Sequence, residues 1–427
     1  TSKVVAPPAH PTTQEISTSR RRHYLFGYPI SHSASPAFQN SIWQFLESQP
    51  SSSSSSKGTV PTYSLCETKS IEEAHLYSLV RHDPRHGGSG VTMPLKVAVA
   101  SKLGRDQILD ELDSIGQATL TVNTIVVRPS LTGDTSLSQR RMVGTNTDCL
   151  GIRHAVLRDI AQQNGAPAGS LIGSTPTAGP YVFPLSQEGQ SSKPFSAFII
   201  GSGGTCRSAV WALHNLGLSP LYLLNRDEQE TKDVVQHFSS MDIDLRPLHS
   251  VEAFAYERAL RDEGKIGQIA CAVGAIPAFE PVTPSEKMVY TLAHAFFQEP
   301  YQAKQLASQT ASIPTAGPSS SVPLRVISLP NKRPFLDMCY KPRLTPLLKY
   351  ASTQTNTWSA IGGVEAMVEQ GLAQARMWAA SSQILDGTAS DLKQDPLSCS
   401  TKTGDDGPLG LECEEQARKM AQNMSDI

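Results

Sequence analysis

The sequence predicts an α/β fold in two lobes, each built on a parallel sheet covered by helices. Short apolar strands alternate with amphipathic helices along most of the chain, which is the pattern of such sheets. A glycine-rich turn, Gly201–Gly204, joins a buried strand to a helix. The Ser-, Gly- and Pro-rich segment 164–194 separates the two alternating regions, and 427 residues are enough for two domains with full cores.

The first lobe begins with the strand YLFGYPI. Ser35 and Pro36 then open a helix, with Ser35 as the N-cap and Pro36 at the first helical position. In GVTMPLK, Pro94 ends a strand and suits the first turn of a helix, so Lys96 is expected where strand gives way to helix. The lobe continues with the helix SIEEAHLYSLV, the strand TVNTIVV and, after Asp148, the helix CLGIRHAVLRDIAQQ.

The second lobe repeats the alternation. Its predicted elements are the strand FSAFIIG, the glycine-rich turn with a helix to Gly217, the strands LYLLN, QIACAVG, PLRVISL and PFLDMCY, and the final helix VEAMVEQGLAQARMWAASSQI. Polar segments without periodic apolar residues interrupt both lobes. We expect 1–22 to be a flexible tail, 49–61, 164–194 and 302–322 to be solvated insertions, and 386–427 to be a largely mobile polar tail.

Composition excludes several classes of partner. Lys and Arg total 37 against 39 acidic residues, so the chain has no excess of positive charge that would attract nucleic acid or an anionic membrane surface. A small molecule is the expected partner. Seven cysteines without a CxxC pair fit reduced thiols and a cytoplasmic compartment, and nothing predicts a metal site. No apolar run has the length of a membrane span.

The glycine-rich turn predicts dinucleotide binding. Gly201, Gly203 and Gly204 let backbone amides and a helix N-terminus face a pyrophosphate, although a tight turn without a ligand also explains them. About twenty residues later, Arg226 can clamp the 2′-phosphate of NADP, whereas Asp227 or Glu228 can accept the 2′-hydroxyl of NAD. The alternative is that Arg226 is a solvated cap of the next helix.

Four polar clusters lie at strand ends of the first lobe: HSASP, VTMPLK, TVNT and GTNTD. At one rim of a sheet they present hydroxyls, an amide, an ammonium and a carboxylate together, which suits a small polyhydroxylated acid. Taken singly, each has a structural explanation. Ser35 and Asp148 can be helix N-caps, Thr92 a strand residue, Asn123 a loop-binding amide and Lys96 a solvated helix residue.

Taken together, these strings resemble the shikimate/quinate dehydrogenase family. The matches run in family order from YLFGYPISHSASP through GVTMPLK, TVNTI, GTNTDCLG, IIGSGGTCRSAV, LLNRD and LDMCYKPRLTPLL to GGVEAMVEQGL, and span about Tyr24 to Trp378. The string NTDCLGIR and the long insertions look most like fungal quinate dehydrogenase-like proteins. The resemblance implies a substrate domain at 23–163, a Rossmann-type doubly wound cofactor domain at 195–362, and a helix at 363–385 returning to the first domain.

The resemblance also implies roles by position. Lys96 and Asp148 would form the catalytic pair. Ser33 and Ser35 would bind the substrate carboxylate with Tyr340 and Thr92 nearby, and Asn123 and Gln370 would hold ring hydroxyls. The cofactor would be held by Gly201, Gly203 and Gly204 at the pyrophosphate and by Asn225, Arg226 and Asp227 around the adenosine ribose.

Three positions depart from the family pattern. Gln39 replaces a frequent histidine, Gly90 a frequent asparagine, and Asp227 the usual threonine after Asn225 and Arg226. The first two leave the chemistry in place, whereas Asp227 argues against the usual NADP. The expected activity is therefore quinate/shikimate dehydrogenation with NAD or NADP, with quinate and NAD favoured. The alternatives are a catalytically silent sensor or regulator of the quinate pathway and a biosynthetic, NADP-dependent shikimate dehydrogenase.

Overall fold

The chain folds into two compact units. A computed structural model describes residues 11–49, 59–128, 140–172, 180–188, 191–301, 303, 310–311, 324–386, 388, 394–404 and 407–424. The first unit comprises Thr1–Thr147 and Gln370–Ile427, and the second comprises Asp148–Glu369. Each unit has its own β-sheet with helices, which confirms the two-lobed α/β fold that the sequence predicts.

The strands of the described residues are β1 (Arg22–Gly27), β2 (Thr62–Glu67), β3 (His86–Val91), β4 (Glu111–Leu112), β5 (Thr124–Arg128), β6 (Arg141–Thr145), β7 (Tyr181–Val182), β8 (Leu185–Glu188), β9 (Ser191–Pro194), β10 (Ser196–Ile200), β11 (Leu221–Leu224), β12 (Leu245–Pro247), β13 (Ile269–Gly274), β14 (Thr310–Ala311), β15 (Arg325–Val326), β16 (Arg333–Asp337) and β17 (Trp358–Ile361).

The α-helices of the described residues are α1 (Thr13–Thr18), α2 (Ser35–Ser48), α3 (Ala74–Tyr77), α4 (Leu95–Ala100), α5 (Lys102–Gln107), α6 (Ser114–Thr119), α7 (Asp148–Gln163), α8 (Gly204–His214), α9 (Glu228–Phe238), α10 (Val251–Asp262), α11 (Pro284–Phe297), α12 (Pro346–Thr353), α13 (Gly363–Leu385) and α14 (Leu411–Asn423).

The sheet of the first unit is mixed rather than parallel. Its strand order is β2-β1-β3-β5-β6-β4, and β5 runs antiparallel to both of its neighbours. The other pairs are parallel. The sequence prediction of a parallel sheet is therefore wrong for this unit. For the β5–β6 pair, the physical reason is the short Ser- and Thr-rich sequence between the two strands, which has no apolar helical period to form the crossover that parallel strands need.

The sheet of the second unit is parallel throughout, in the order β12-β11-β10-β13-β16-β17. Numbered along the chain, this is the doubly wound order 3-2-1-4-5-6. Alternate residues of β10 enter two different cores: Ala197 and Ile199 lie in one, and Phe198 and Ile200 in the other. Both faces of the sheet are thus covered, which explains why its strands are almost continuously apolar.

The boundary between the units lies before α7, whereas the expected first domain extends to residue 163. Ile152, Val156 and Ile160 of α7 are fully buried in the core that also contains Ile199 of β10 and Leu336 of β16. This packing places α7 in the second unit. Of α13, the residues from Gln370 onward belong to the first unit, so the predicted return of the final helix applies to that part.

The C-terminal segment is folded, contrary to the expected mobile polar tail. Helix α14 packs against α2, and buries Cys413, Ala417 and Ala421 on one face. Glu414, on the same helix, accepts two hydrogen bonds from Arg376 of α13, at 2.7 and 2.8 Å. Both side chains of this ion pair are at least 96 % buried, since their exposed fractions are 0 % and 4 %.

The N-terminal segment is also ordered from Thr12. Thr12 and Glu15 form a capping box at α1, and the buried Ser19 bonds the carbonyl of Val60. The expected flexible tail at 1–22 is therefore wrong for residues 12–22, and residues 1–10 lie outside the described residues. The bulk of the expected insertion at 49–61, residues 50–58, also lies outside them.

The two insertions of the second unit pair with each other instead of forming separate loops. Strand β14, from the insertion 302–322, pairs with β8 of the insertion 164–194, and β8 pairs with β9. Strand β7 of the same insertion pairs with β15. Each strand satisfies backbone groups of the other, so polar segments far apart in sequence form two small sheets. Within the described residues, no helix is both long and apolar enough to cross a membrane.

The buried pair between Arg376 and Glu414 generates a stability prediction. Replacing Glu414 with Ala leaves a buried guanidinium without its carboxylate, so the free energy of unfolding should fall by about 3–5 kcal/mol. The control is Asp106→Ala, which removes the exposed pair with Lys102 and should change the free energy by less than about 1 kcal/mol. Urea denaturation measures both. Equal losses in the two variants would contradict a structural role for this pair.

Candidate active site

Three polar segments of the first unit meet at one edge of its sheet. Strands β3 and β6 end there, and β5 begins there, with Thr124 in register with Gly90 and with Thr145. Backbone hydrogen bonds join Val91 N to Asn123 O at 2.7 Å and Asn123 N to Thr145 O at 3.2 Å. Of the four clusters predicted to meet, the backbones of VTMPLK, TVNT and GTNT, the part of GTNTD in the first unit, are therefore observed together, and the antiparallel direction of β5 produces this.

The amide of Asn123 is the centre of a buried hydrogen-bond network. Its Oδ1 accepts from the Thr147 backbone N–H and from the Thr124 hydroxyl, both at 2.7 Å. Its Nδ2 donates to Gln370 Oε1 at 2.9 Å, and Gln374 Nε2 donates to Thr124 Oγ1 at 2.9 Å. Because the acceptors and donors differ, the orientation of the Asn123 amide is fixed. The structure thus brings together Asn123 and Gln370. The resemblance assigns both residues to the binding of ring hydroxyls.

Lys96 lies at the junction that the sequence predicts. Strand β3 ends at Val91, Pro94 is the N-cap of α4, and Lys96 is the second residue of this helix. Its carbonyl accepts from the Val122 backbone N–H at 2.9 Å, one residue before Asn123. The backbone of Lys96 is thereby tied to the segment that carries the amide network, and its side chain is partly exposed.

Asp148 is the first residue of α7. It follows directly after Thr147, whose backbone N–H donates to Oδ1 of Asn123. Its side chain is buried, with 2 % exposed. The boundary between the two units falls between Thr147 and Asp148. The pairing of Lys96 with Asp148, and the catalytic role of each, therefore stay predictions.

Ser33 and Ser35 lie at the start of α2, but Ser35 is not the N-cap that the sequence predicts. The N-cap is Ala34, which offers no side-chain cap, and Ser35 is the first residue of the helix. The hydroxyl of Ser33 accepts from the Ser35 backbone N–H at 3.3 Å. Both serines are partly exposed. The structural explanation of Ser35 as a helix cap is therefore wrong, because its hydroxyl makes no capping bond. Thr92, between β3 and α4, is also partly exposed.

Two departures from the family pattern have local structural causes. Gln39 is buried in α2 and its Nε2 donates to the Gly371 carbonyl of α13 at 3.0 Å, so it ties these helices together. A Cβ at position 90 would lie 2.3 Å from the Tyr63 hydroxyl, so the buried ring of Tyr63 fills the space that a larger residue would need. Burial raises the pKa of Tyr63, which keeps this hydroxyl protonated.

The glycine-rich turn of the second unit follows β10 as predicted. Gly201 has φ +124°, and a Cβ there would lie 2.8 Å from the Ala275 carbonyl oxygen, so both conformation and space require glycine. No atom lies within 4 Å of a Cβ built on Gly203. Gly203 is the N-cap of α8 and no side chain caps this helix. The open space and the uncapped amides are what close approach of a pyrophosphate requires.

The segment after β11 contacts this turn. Asn225 Nδ2 donates to Ser202 Oγ and, at 3.0 Å, to the Asp227 carbonyl. Ser202 in turn donates to Glu230 at 2.6 Å. Asp227 Oδ1 accepts the backbone N–H groups of residues 229 and 230, so Asp227 is the N-cap of α9. A surface depression of about 560 Å³ adjoins it, lined by residues 226–229 and by Thr283, Ser285 and Glu286.

Arg226 is exposed to solvent, but its guanidinium has a carboxylate partner and a ring neighbour. Its guanidinium donates to Glu286, at the start of α11, and lies 5.6 Å above the ring of Phe279. Backbone N–H groups of Thr283 and Val282, with Arg226, lower the pKa of Glu286 to about 2. The sequence reasoning missed Glu286. The spacing of Thr283 and Glu286 is that of a capping box and predicts a helix start, but nothing in it shows the contact with Arg226.

Tyr340 follows β16 in the second unit, in a turn anchored by a buried carboxylate. Asp337 accepts from the Thr345 hydroxyl at 2.5 Å and from the Cys339 backbone N–H at 3.1 Å. Burial raises the pKa of Asp337 to about 6, and burial also raises the pKa of Tyr340. The predicted contact of Tyr340 with the substrate carboxylate stays a prediction. Within the described residues, no three His, Cys, Asp or Glu side chains cluster as metal ligands.

Solved structures with a similar fold exist, although no protein-family model matches the sequence. The dehydroquinate dehydratase and shikimate dehydrogenase AroM from S. pombe is 24% identical over 84% of this chain, with a TM-score of 0.52, and this chain covers 50% of its length. A shikimate 5-dehydrogenase from Mycobacterium fortuitum is 22% identical over 83% of this chain and 91% of its own, with a TM-score of 0.48. A quinate dehydrogenase from Corynebacterium glutamicum in complex with NAD is 15% identical over 86% and 98%, with a TM-score of 0.49. At 24% identity and a TM-score of 0.52, the likeness to the S. pombe structure shows the fold alone.

The amide network predicts the effect of one substitution. In Asn123→Ala, the Thr147 N–H and the Thr124 hydroxyl lose a buried acceptor, so the free energy of unfolding should fall by about 1–3 kcal/mol. The control is Asn215→Ala, at an exposed amide that bonds the Trp211 carbonyl, where the change should stay within about 0.5 kcal/mol. Denaturant titration measures both variants. An Asn123 variant as stable as its control would show that the network is dispensable.

Proposed function

We propose that this chain is a quinate/shikimate dehydrogenase, which moves a hydride reversibly between quinate or shikimate and NAD(P). The products are 3-dehydroquinate or 3-dehydroshikimate. The single observation that carries the proposal is the edge of the first-unit sheet, where VTMPLK, TVNT and GTNTD converge and Asn123 bonds Gln370. The doubly wound sheet with its glycine-rich turn supports a dinucleotide partner for the second unit.

The substrate is a small hydroxy acid, and two groups of side chains divide its recognition. The hydroxyls of Ser33 and Ser35 bind the carboxylate, because both serines are partly exposed at the start of α2 and Ser35 makes no capping bond. Asn123 and Gln370 bond ring hydroxyls with amides whose orientation is already fixed by the network. A preoriented amide loses little freedom when the ring binds, which favours one pose of the substrate.

The proton of the reacting hydroxyl is handled by Lys96. In the oxidative direction, the amine of Lys96 accepts this proton as the C–H bond breaks; in the reductive direction, its ammonium returns a proton to the forming alkoxide. Asp148 orients the amine and balances its charge. Bound nicotinamide supplies the hydride acceptor or donor, and Gly201, Gly203 and Gly204 would hold its pyrophosphate.

NAD is the favoured dinucleotide. Asp227 stands where the family pattern has threonine, and Asp227, Glu228 and Glu286 line the depression beside Arg226. A 2′-phosphate carries up to two negative charges and is repelled by carboxylates, whereas a ribose 2′-hydroxyl can donate a hydrogen bond to one. Quinate is favoured over shikimate only by the likeness of NTDCLGIR and the insertions to fungal quinate dehydrogenase-like sequences.

A catalytically silent sensor of quinate-pathway metabolites is the second candidate, since it would keep the same fold and binding residues. Retention of Lys96 and Asp148 favours the enzyme. A biosynthetic, NADP-dependent shikimate dehydrogenase is the third candidate. It differs from the first only in using shikimate and NADP where the first prefers quinate and NAD.

The choice among these functions rests on one assay. Purified protein is mixed with quinate or shikimate and with NAD or NADP, and the absorbance of reduced nicotinamide is followed. We expect turnover with both acids and a preference for quinate with NAD. Substrate binding without turnover in any of the four mixtures would identify a sensor, and turnover confined to shikimate with NADP would identify the biosynthetic enzyme.

The role of Lys96 is tested by Lys96→Ala. Loss of the proton acceptor should reduce kcat by about 10²–10⁴-fold, and the Kd for NAD should change by less than about threefold, because Lys96 lies in the other unit from the glycine turn. Lys102→Ala, at a side chain 85 % exposed on α5, is the matched control and should keep full turnover. A Lys96 variant with unchanged kcat would refute the assignment.

A further inference from the structure

Glu286 has two tasks in the second unit, one for each carboxylate oxygen. Its Oε2 accepts the backbone N–H groups of Val282 and Thr283, both at 3.0 Å, and so closes the capping box of α11. Its Oε1 accepts from Nη1 of Arg226. The Glu286 side chain is 10 % exposed, whereas that of Arg226 is 56 % exposed. A fixed, buried carboxylate therefore holds an exposed arginine.

We propose that Glu286 is the positioning residue that sets the preference between NAD and NADP, by withholding Arg226 from a 2′-phosphate. The inference rests on the proposed dehydrogenase function, and names the residue that decides the cofactor at the depression lined by Arg226, Asp227 and Glu286. Of the residues that line it, Asp227, Glu228 and Glu286 carry negative charge and Arg226 carries the only positive charge.

Geometry gives the first reason. Arginine binds a phosphate most strongly when two of its N–H groups face two oxygens of the anion at once. Here one Nη donates to Glu286, and the ring of Phe279 lies 5.6 Å from the guanidinium carbon. Glu286 thus occupies the Nη1 side of the guanidinium and fixes its position. A 2′-phosphate has to bind the remaining Nε and Nη2 donors where Glu286 holds them, or displace the Glu286 carboxylate to reach Nη1. The free 2′-hydroxyl of NAD needs no such displacement.

Charge gives the second reason. A 2′-phosphate would bring up to two negative charges next to the Glu286 carboxylate, which stays ionised at neutral pH because its backbone donors and Arg226 favour the charged form. Removing the charge of Glu286 lowers this repulsion and releases Arg226 in a single change. Both effects act on NADP, and neither acts on the unphosphorylated ribose of NAD.

The competing interpretation is that Glu286 only caps α11. Glu286→Gln separates the capping role from the charge interaction with Arg226. Glutamine at this helix position also completes a capping box, but it offers no charge to Arg226. The matched control is Glu280→Gln, which removes one negative charge from an exposed residue of the segment before α11. The double variant Arg226→Gln with Glu286→Gln tests whether the effect acts through Arg226.

Calorimetric titration measures the Kd for NAD, for NADP and for 2′,5′-ADP, none of which needs turnover. We expect Glu286→Gln to tighten NADP and 2′,5′-ADP by about tenfold and to change NAD by less than about threefold. Glu280→Gln should leave the Kd for NAD, NADP and 2′,5′-ADP unchanged. The double variant should lose the gain in affinity for NADP and 2′,5′-ADP. The ratio of kcat/KM with NADP to that with NAD should rise in parallel.

An unchanged NADP affinity in a Glu286→Gln protein that still binds NAD overturns this inference and leaves the dehydrogenase proposal standing. A gain that persists in the double variant, or that Glu280→Gln reproduces, also overturns it, since the effect would then not act through Arg226. A wild-type protein that binds neither dinucleotide overturns the proposed function and this inference together.

Discussion

The reversed direction of β5 is the constraint on which the candidate site depends. Because β5 runs antiparallel to β3 and β6, its first residues lie beside the last residues of both neighbours. Asn123 precedes β5 at this point, and its amide binds the Thr147 backbone and Gln370. A parallel β5 would place Asn123 at the opposite edge, away from Thr92 and Thr147. One strand direction therefore decides whether these polar segments can cooperate.

The second unit leaves uncapped backbone amides at the start of α8. Its sheet is buried on both faces, so the strand ends are rigid, and Gly201 and Gly203 leave space at the end of β10. The same unit surrounds the neighbouring depression with carboxylates. Uncapped amides, which favour an anion, and carboxylates, which disfavour one, therefore both belong to this unit, and the proposed preference for NAD depends on this combination.

Polar segments that lack an apolar period are folded here by partners far away in the sequence. The insertion strands β8 and β14 satisfy each other's backbone groups, and Arg376 and Glu414 neutralise each other in a buried environment. Removing one member of such a pair costs more than the pair itself contributes. These segments therefore depend on the rest of the fold.

The sequence alone determined the features that depend on local chemistry: the alternation of strands and helices, the glycine turn, the position of Lys96 after Pro94, and the polar clusters at strand ends. Only the tertiary structure decided the direction of β5, the assignment of α7 to the second unit, the folding of α14, and the contact of Glu286 with Arg226. Periodicity and turn residues report what a segment buries, not which distant segment it meets. Pairing partners are chosen by whole-chain packing, which no short string of residues encodes.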